Sequence, residues 1–219
     1  MKREIIMVGP PASGKGTQTE KLKKLTGLVH ADTGAMLRAA VKSGTEEGII
    51  AGRCMDNGQL VPIETVGKII KKRLSEDDCK DGFILDGYPR SIEQAQKLED
   101  ILKEVNEGRD DVKFTVAYFD IPSDILLERI VNRVSCPKCG AIYNLKTMTL
   151  KEAGKCDECG TKLVKRSDDT EEVAQKRFST YFEQTEPVLK FYEDRGTLVK
   201  IDAKGSIDEV FEHFKKAVL

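Results

Sequence analysis

One short segment limits what this chain can become more than any other: Gly9-Pro10-Pro11-Ala12-Ser13-Gly14-Lys15. An apolar run, Glu4 to Gly9, reads as a short buried strand leading into it, and a polar helix from about Lys15 to Leu25 leads out. Strand, glycine-rich turn and helix in that order make a phosphate cradle. The glycines let backbone N–H groups curl inward, the helix start adds partial positive charge, and Lys15 adds a full one. The plain alternative is an ordinary strand-to-helix turn. The usual pattern has Ser or Thr directly after the lysine, whereas here Gly16 intervenes and Thr17 follows.

The rest of the chain alternates strands with helices. Further strands are predicted at Leu28 to Ala31, Phe83 to Asp86, Phe114 to Phe119 and Leu198 to Ile201. Thr33-Gly34 opens a helix through Ser43. Val66, Ile69, Ile70 and Leu74 recur at helical spacing, as do Ile92, Ala95, Leu98, Ile101 and Leu102. Asp120-Ile121-Pro122-Ser123 begins a helix predicted to run through Arg133. A long helix from Thr170 to about Arg195 carries Ala174, Phe178, Tyr181 and Phe182 on one face, with Pro187 as a kink or break. The alternation predicts a three-layer α/β fold around a parallel five-stranded sheet. Ligands of such sheets bind at the carboxyl ends of the strands, where Gly9, Asp86 and Asp120 fall.

Balanced charge narrows the choice of ligand. The 219 residues carry a formal net charge of -1, with 39% hydrophobic and 33% charged residues. That is the make-up of a folded protein without a global field for nucleic acid or anionic membrane. Phosphate must then be held by local clusters. The basic start, Met1 to Arg3, lacks the apolar stretch of a signal peptide, and no segment approaches the roughly 18 apolar residues of a membrane span. A cytoplasmic protein is predicted, with nucleic acid and membrane excluded as partners.

Val134 to Val164 breaks the alternation. It is rich in Cys, Gly and Lys, with scattered apolar residues such as Ile142, Tyr143, Leu145, Met148 and Leu150. So few cannot build a core unaided, and the stretch reads as a small inserted lobe. Four of the six cysteines form two C-x-x-C pairs there, Cys136 with Cys139 and Cys156 with Cys159, sixteen residues apart. In a reducing compartment this spacing reads as four zinc ligands, which fill the tetrahedron and make the ion structural. Lys138, Lys155 and Lys162 partly offset the surplus thiolate charge. Iron in a rubredoxin-like site is the other metal that fits, and disulfides suit the setting less well. Nucleic-acid-binding ribbons use similar knuckles, but beyond Tyr143 the lobe has no aromatic stacking platform.

Gly14-Lys15-Gly16-Thr17-Gln18 resembles the loop of adenylate kinases rather than that of GTPases. Further motifs follow in that family's order. Asp32-Thr33-Gly34-Ala35-Met36-Leu37-Arg38 looks like the segment that holds the acceptor monophosphate. Gln59-Leu60-Val61-Pro62 resembles the loop closing over the acceptor base. Asp86-Gly87-Tyr88-Pro89-Arg90, with Gln94 downstream, is similar to the family's most specific signature. Arg129 and Arg133 flank the start of the lid, and Arg166-Ser167-Asp168-Asp169 with Arg177 mark its end. The resemblance covers essentially the whole chain. It implies a P-loop core of residues 1–31, 62–131 and 170–219, a helical acceptor-binding insertion at 32–61, and a zinc-ribbon-like lid at 132–169, in a monomer.

The resemblance further implies reversible, magnesium-dependent phosphoryl transfer from ATP to AMP, giving two ADP. ATP would lie on Ala12, Ser13, Gly14, Lys15, Gly16 and Thr17, with Arg133 on its phosphates. Arg129 would stack on the donor base beside Ile142, Tyr143 and Gly205. AMP would meet Arg38, Gln59, Leu60, Val61, Gly87, Tyr88, Pro89, Arg90, Arg166 and Arg177, with Thr33 and Gln94 reading adenine. Lys15, Arg90, Arg133, Arg166 and Arg177 would gather around the transferred group, while Thr17 and Asp86 hold magnesium through water. The family commonly has Asp where Ala35 stands and Gly where Ala12 and Ala203 stand. The first departure bears on the water-mediated hold on magnesium, so an altered metal dependence is expected.

Such a transfer moves a charged group between oxygens that are already anionic, so no general base is needed. The only histidines, His30 and His213, accordingly read as structural or surface residues. Charge neutralisation, alignment and exclusion of water carry the reaction. Guanidinium forks suit this because they grip phosphate bidentately. UMP or CMP as acceptor and GTP as donor remain open. So does a reading from another class, an ATP-binding regulator whose zinc lobe meets a partner or RNA.

Overall fold

The computed structural model describes residues 1–166 and 169–219; Ser167 and Asp168 of the lid's end lie outside them. Seven strands form among the described residues: β1 (Lys2–Val8), β2 (Val29–Asp32), β3 (Gly82–Asp86), β4 (Val112–Asp120), β5 (Arg133–Ser135), β6 (Ile142–Asn144) and β7 (Leu198–Asp202). Five make one parallel sheet in the order β2-β3-β1-β4-β7, and β5 pairs with β6 antiparallel in the lobe. From β1 the sheet extends to β3 on one side and β4 on the other. The head of β1 is therefore the switch point where such sheets bind ligands.

Nine α-helices accompany the strands among the described residues: α1 (Lys15–Thr26), α2 (Thr33–Ser43), α3 (Glu46–Asp56), α4 (Ile63–Leu74), α5 (Ile92–Val105), α6 (Leu126–Val131), α7 (Glu171–Thr180), α8 (Pro187–Glu193) and α9 (Ile207–Val218). Side chains alternate across a strand, so β1 feeds two cores at once. Ile6 and Val8 join Phe83, Leu85, Ile70 and Leu98 under α4 and α5, while Ile5 and Met7 join Leu22, Phe119 and Phe214 under α1 and α9. Both faces of the sheet are covered, as the alternation predicts. The lobe has only a small cluster of its own, Cys136, Tyr143, Cys156 and Leu163.

Several local expectations are corrected. The helix expected to run through Arg133 stops at Val131, where the Asn132 amide turns back to the Glu128 carbonyl at 2.9 Å. Arg133 instead opens β5 beside Val134, a residue that favours strand. The helix expected from Thr170 to about Arg195 is two helices joined by a π-helical turn, Tyr181–Thr185. Pro187 lacks the N–H that a regular helix would need there. Phe182, expected on the buried face, is 42% exposed because the turn rotates it outward. Of two further helices, α3 falls within the helical insertion expected at 32–61, while α9 was not expected. In α3, Gly48 packs so closely on α2 that a Cβ would lie 2.1 Å from the Ala40 carbonyl oxygen. In α9, Ser206 and Glu209 form a capping box, a signal legible as S-x-x-E. Strand β1 also starts earlier than its apolar run. Lys2 and Glu4 are buried as an ion pair at 2.9 Å, bridged by Asn106 at 2.7 and 3.0 Å.

Candidate active site and metal centre

At the head of β1 the backbone must turn sharply to enter α1. Gly9 adopts φ 153°, and a Cβ there would sit 3.0 Å from the Phe119 carbonyl oxygen and the Ser13 hydroxyl. Ala12 stands at φ 64°, a left-handed conformation that costs an alanine energy. Lys15 is folded back on the loop, its Nζ donating to the carbonyls of Gly9 at 2.7 Å and Pro10 at 2.9 Å and to Ser13 Oγ at 3.2 Å. Burial lowers its pKa to about 8; Asp86 works against the shift, and the guanidiniums of Arg90, Arg177 and Arg133 add to it.

Lys15 opens on a cavity of about 590 Å³ that runs from the cradle to the lobe. Arg38, Arg90, Arg129, Arg133, Arg166 and Arg177 reach it from the acceptor-side helices, the sheet, the lobe and α7, against only Glu20, Asp32 and Asp86 among the described residues. Burial, reinforced by neighbouring Arg133 and Arg38, lowers the pKa of Arg166. So much positive charge in a chain of net charge -1 is concentrated for an anion. Fully buried Asp169 keeps the arginines in place, accepting from Arg133 Nε at 2.8 Å and from Arg177 Nη1 at 3.4 Å.

A side pocket of about 70 Å³ continues from the cavity beneath α3. Thr33, Gln59, Leu60, Val61, Tyr88 and Gln94 line it with Arg38, Gly87 and Arg90. Thr33 is 2% exposed and its hydroxyl has no partner, so a polar edge of a ligand can satisfy it. Gln94 accepts the Arg90 N–H at 2.8 Å, and Arg90 Nε donates to the Gly87 carbonyl at 2.7 Å. On the far side Arg129, Ile142, Tyr143 and Gly205 border the cavity, and a Cβ on Gly16 would lie 3.1 Å from Ile142 Cδ1. The lobe thus rests on the cradle. Pro89, Thr17 and the loop from Ala12 to Gly16 also face the cavity. Every non-cysteine residue expected in the site borders the cavity or its side pocket.

Two juxtapositions that the sequence does not show stand here too. Asp32 and Asp86 are register partners at the ends of β2 and β3, so their carboxylates lie side by side. Burial raises the pKa of Asp86, and Asp32 adds to the effect while Lys15 opposes it. Ala35 leaves no carboxylate of its own, but its N–H caps on Asp32 Oδ1 at 3.0 Å. His30, expected to be structural, lines the cavity with Nδ1 3.0 Å from Glu20 Oε1 and Nε2 3.9 Å from Asp86 Oδ2. Strand register, which brings His30 and Asp32 beside Asp86, was the missing signal. His213 is on the surface, as expected.

In the lobe the Sγ atoms of Cys136, Cys139, Cys156 and Cys159 lie within 4.8 Å of one another. Cys136 is 3.5 Å from Cys159 and Cys139 is 3.5 Å from Cys156, sulfur to sulfur. A tetrahedral ion with metal–sulfur bonds of about 2.3 Å sets sulfurs roughly 3.8 Å apart, so the cluster fits such an ion.

A central strand that empties into a lysine-bearing cradle, beneath arginines gathered from both ends of the chain, is the plan of the P-loop kinases. The family model described as adenylate kinase matches residues 7–197. The adenylate kinase of Thermotoga petrophila is 42% identical over 220 residues, covering 100% of this chain and 98% of the relative. That of Methanosarcina mazei is 45% identical over 211 residues, covering 96% of each. That of Caldanaerobacter subterraneus is 43% identical over 215 residues, covering 98% of this chain and 96% of the relative. The chain belongs to the adenylate kinase family.

Proposed function

We infer that the arginine-lined cavity is where this phosphotransferase moves the terminal phosphoryl group of ATP to AMP, giving two ADP. One observation carries the reading: Lys15 and guanidiniums from the sheet, the lobe and α7 border one cavity of about 590 Å³, from which a polar side pocket continues. ATP takes the cradle, with its base between Arg129 and the Ile142–Tyr143 strand near Gly205. AMP takes the side pocket, with Thr33 and Gln94 at its base and Arg38 and Arg90 on its phosphate. An oxygen of the AMP phosphate bonds to the terminal phosphorus as the bridging oxygen of ADP departs. No proton need move. Lys15, Arg90, Arg133, Arg166 and Arg177 neutralise charge as it shifts along that line.

Thr17 and Asp86 offer hard oxygen donors suited to magnesium, with Asp32 adjacent. Magnesium bound with ATP supplies further charge neutralisation. Zinc in the four-cysteine cluster holds the lobe, with iron as the competing ion. Residues 32–61 and 132–169 act as two flaps on the remaining core. A monomer suffices, since one chain supplies both arms of the site. None of the six cysteines is joined in a disulfide, which suits the cytoplasm. Among the described residues no helix is long and apolar enough to cross a membrane.

The test is a coupled spectrophotometric assay of ADP disproportionation, repeated with UMP and CMP as acceptors and GTP as donor, with metal analysis of the same sample. ATP and AMP should appear in equal amounts, with AMP the best acceptor and one zinc per chain. ATP binding without any transfer would overturn the reading.

A further inference from the structure

The π-helical turn between α7 and α8 remains without a role. It begins one residue after Thr180, and its Glu186 N–H reaches back five residues to the Tyr181 carbonyl at 2.8 Å. Such turns are uncommon and cluster at functional sites. This one adds a residue ahead of Pro187 and so turns Thr185 inward. Thr185 is 5% exposed, and its hydroxyl donates to the Arg90 carbonyl at 2.9 Å. Gln94 accepts the N–H of that same residue at 2.8 Å. The backbone of Arg90 is therefore held from both sides, by α5 through Gln94 and by the π turn through Thr185. Four residues before the turn, Arg177 points from the same helix into the cavity.

We propose that Thr185 is a positioning residue for the acceptor phosphate, acting through the Arg90 backbone. The inference rests on the reading of Arg90 as the acceptor's clamp. A guanidinium can grip a phosphate only if its stem starts from a fixed point, and misplacement of a positioning group by about 1 Å can cost on the order of a hundredfold in rate. Thr185 removes that freedom at the carbonyl. Thr180, just before the turn, donates to the Gly58 carbonyl at 3.1 Å beside the expected acceptor loop, so the same stretch of chain steadies both walls of the acceptor arm.

Steady-state kinetics of the full-length protein test this, with AMP and ATP varied in turn. Thr185→Val keeps the branched shape and removes the donor; Thr185→Ala does so without filling the space, should valine disturb packing. Either should raise KM for AMP on the order of tenfold while KM for ATP stays within about twofold. Thr185→Ser should match the parent. In an Arg90→Ala background, Thr185→Val should add nothing further to KM for AMP, because the group it positions is gone. Equal rises in both KM values, or a lower melting temperature with both unchanged, would make Thr185 merely structural and overturn the proposal. If Arg90→Ala weakens AMP selectively while Thr185→Val does not, the inference alone fails. If Arg90→Ala shows no selectivity, the clamp reading fails and takes the inference with it.

Discussion

The phosphate cradle and the cysteine lobe face the same cavity but are held by opposite means. The cradle hangs from β1, whose residues Ile5 to Val8 are at most 2% exposed and pack on both sides of the sheet. The lobe's own cluster has four buried members, two of which are cysteines of the metal site. Only the first has energy to spare. It keeps Ala12 in a left-handed conformation and Lys15 with a lowered pKa, strains that persist where surrounding packing over-determines the backbone. Among its described residues the lobe holds no non-glycine residue at positive φ, and its four-cysteine cluster fits an ion that would supply order. Backbone strain is placed where the core is.

The largest effect should come from breaking the lobe's clamp. Replacing Cys136 and Cys139 with Ser, or stripping the ion with a chelator, removes on the order of 10 kcal/mol of ordering energy from the lobe. Arg133 and Arg166 then lose their places, and KM for ATP rises. The sheet should stay folded, since neither core layer includes a lobe residue. Calorimetry alongside metal analysis checks this: a metal-free protein should lose its lobe transition and keep its main one. Unchanged unfolding without metal would end the contrast between the two regions.

The same contrast governs what could be read from the sequence. The cradle, the five strands and the cysteine spacing are local patterns, and each was legible because a few adjacent residues specify it. What was missed depends on neighbours distant in the chain. Asp32 meets Asp86 only once β2 and β3 are in register. Arg133 belongs to a strand because Asn144 of β6 lies eleven residues on to pair with it, which no helical pattern before Asn132 reveals. The π turn follows from Pro187, which was read as a kink; that it would swing Thr185 toward Arg90 could not be seen without the fold.

A smaller effect sharpens the cradle's side of the comparison. Lys15 ordinarily ionises near 10.5, and burial brings it to about 8. Bound phosphate favours the ammonium. Below pH 8 both free and bound protein carry the charge, so affinity for ATP should change little on this account. Above pH 8 the free site has lost a proton that it must regain on binding. Affinity should fall by up to tenfold per pH unit, about 1.4 kcal/mol, with uptake of roughly one proton. Folding of the ligand-free chain responds with the opposite sign. Between pH 8 and 10.5 the unfolded chain keeps the proton that the folded one has released, so this group favours folding more as pH rises. Titration calorimetry at pH 7 and pH 9, in buffers of different ionisation enthalpy, reads the proton directly; no uptake at pH 9 would place the lysine's pKa elsewhere.

The smallest effect tests whether the cradle's strain is real. Ala12 at φ 64° sits in a region that costs an L-residue about 1–2 kcal/mol, and glycine occupies it freely. Ala12→Gly should release that cost. The unfolded chain takes part of it back, because glycine has roughly 0.5–1 kcal/mol more conformational entropy to lose. The difference leaves a net gain of about 0 to 1.5 kcal/mol, visible as a rise of a few degrees at most in the main calorimetric transition, with the lobe's transition unmoved. A melting temperature that falls would mean that the Ala12 methyl group earns its place through packing, and that the cradle is less over-determined than the sheet beneath it implies.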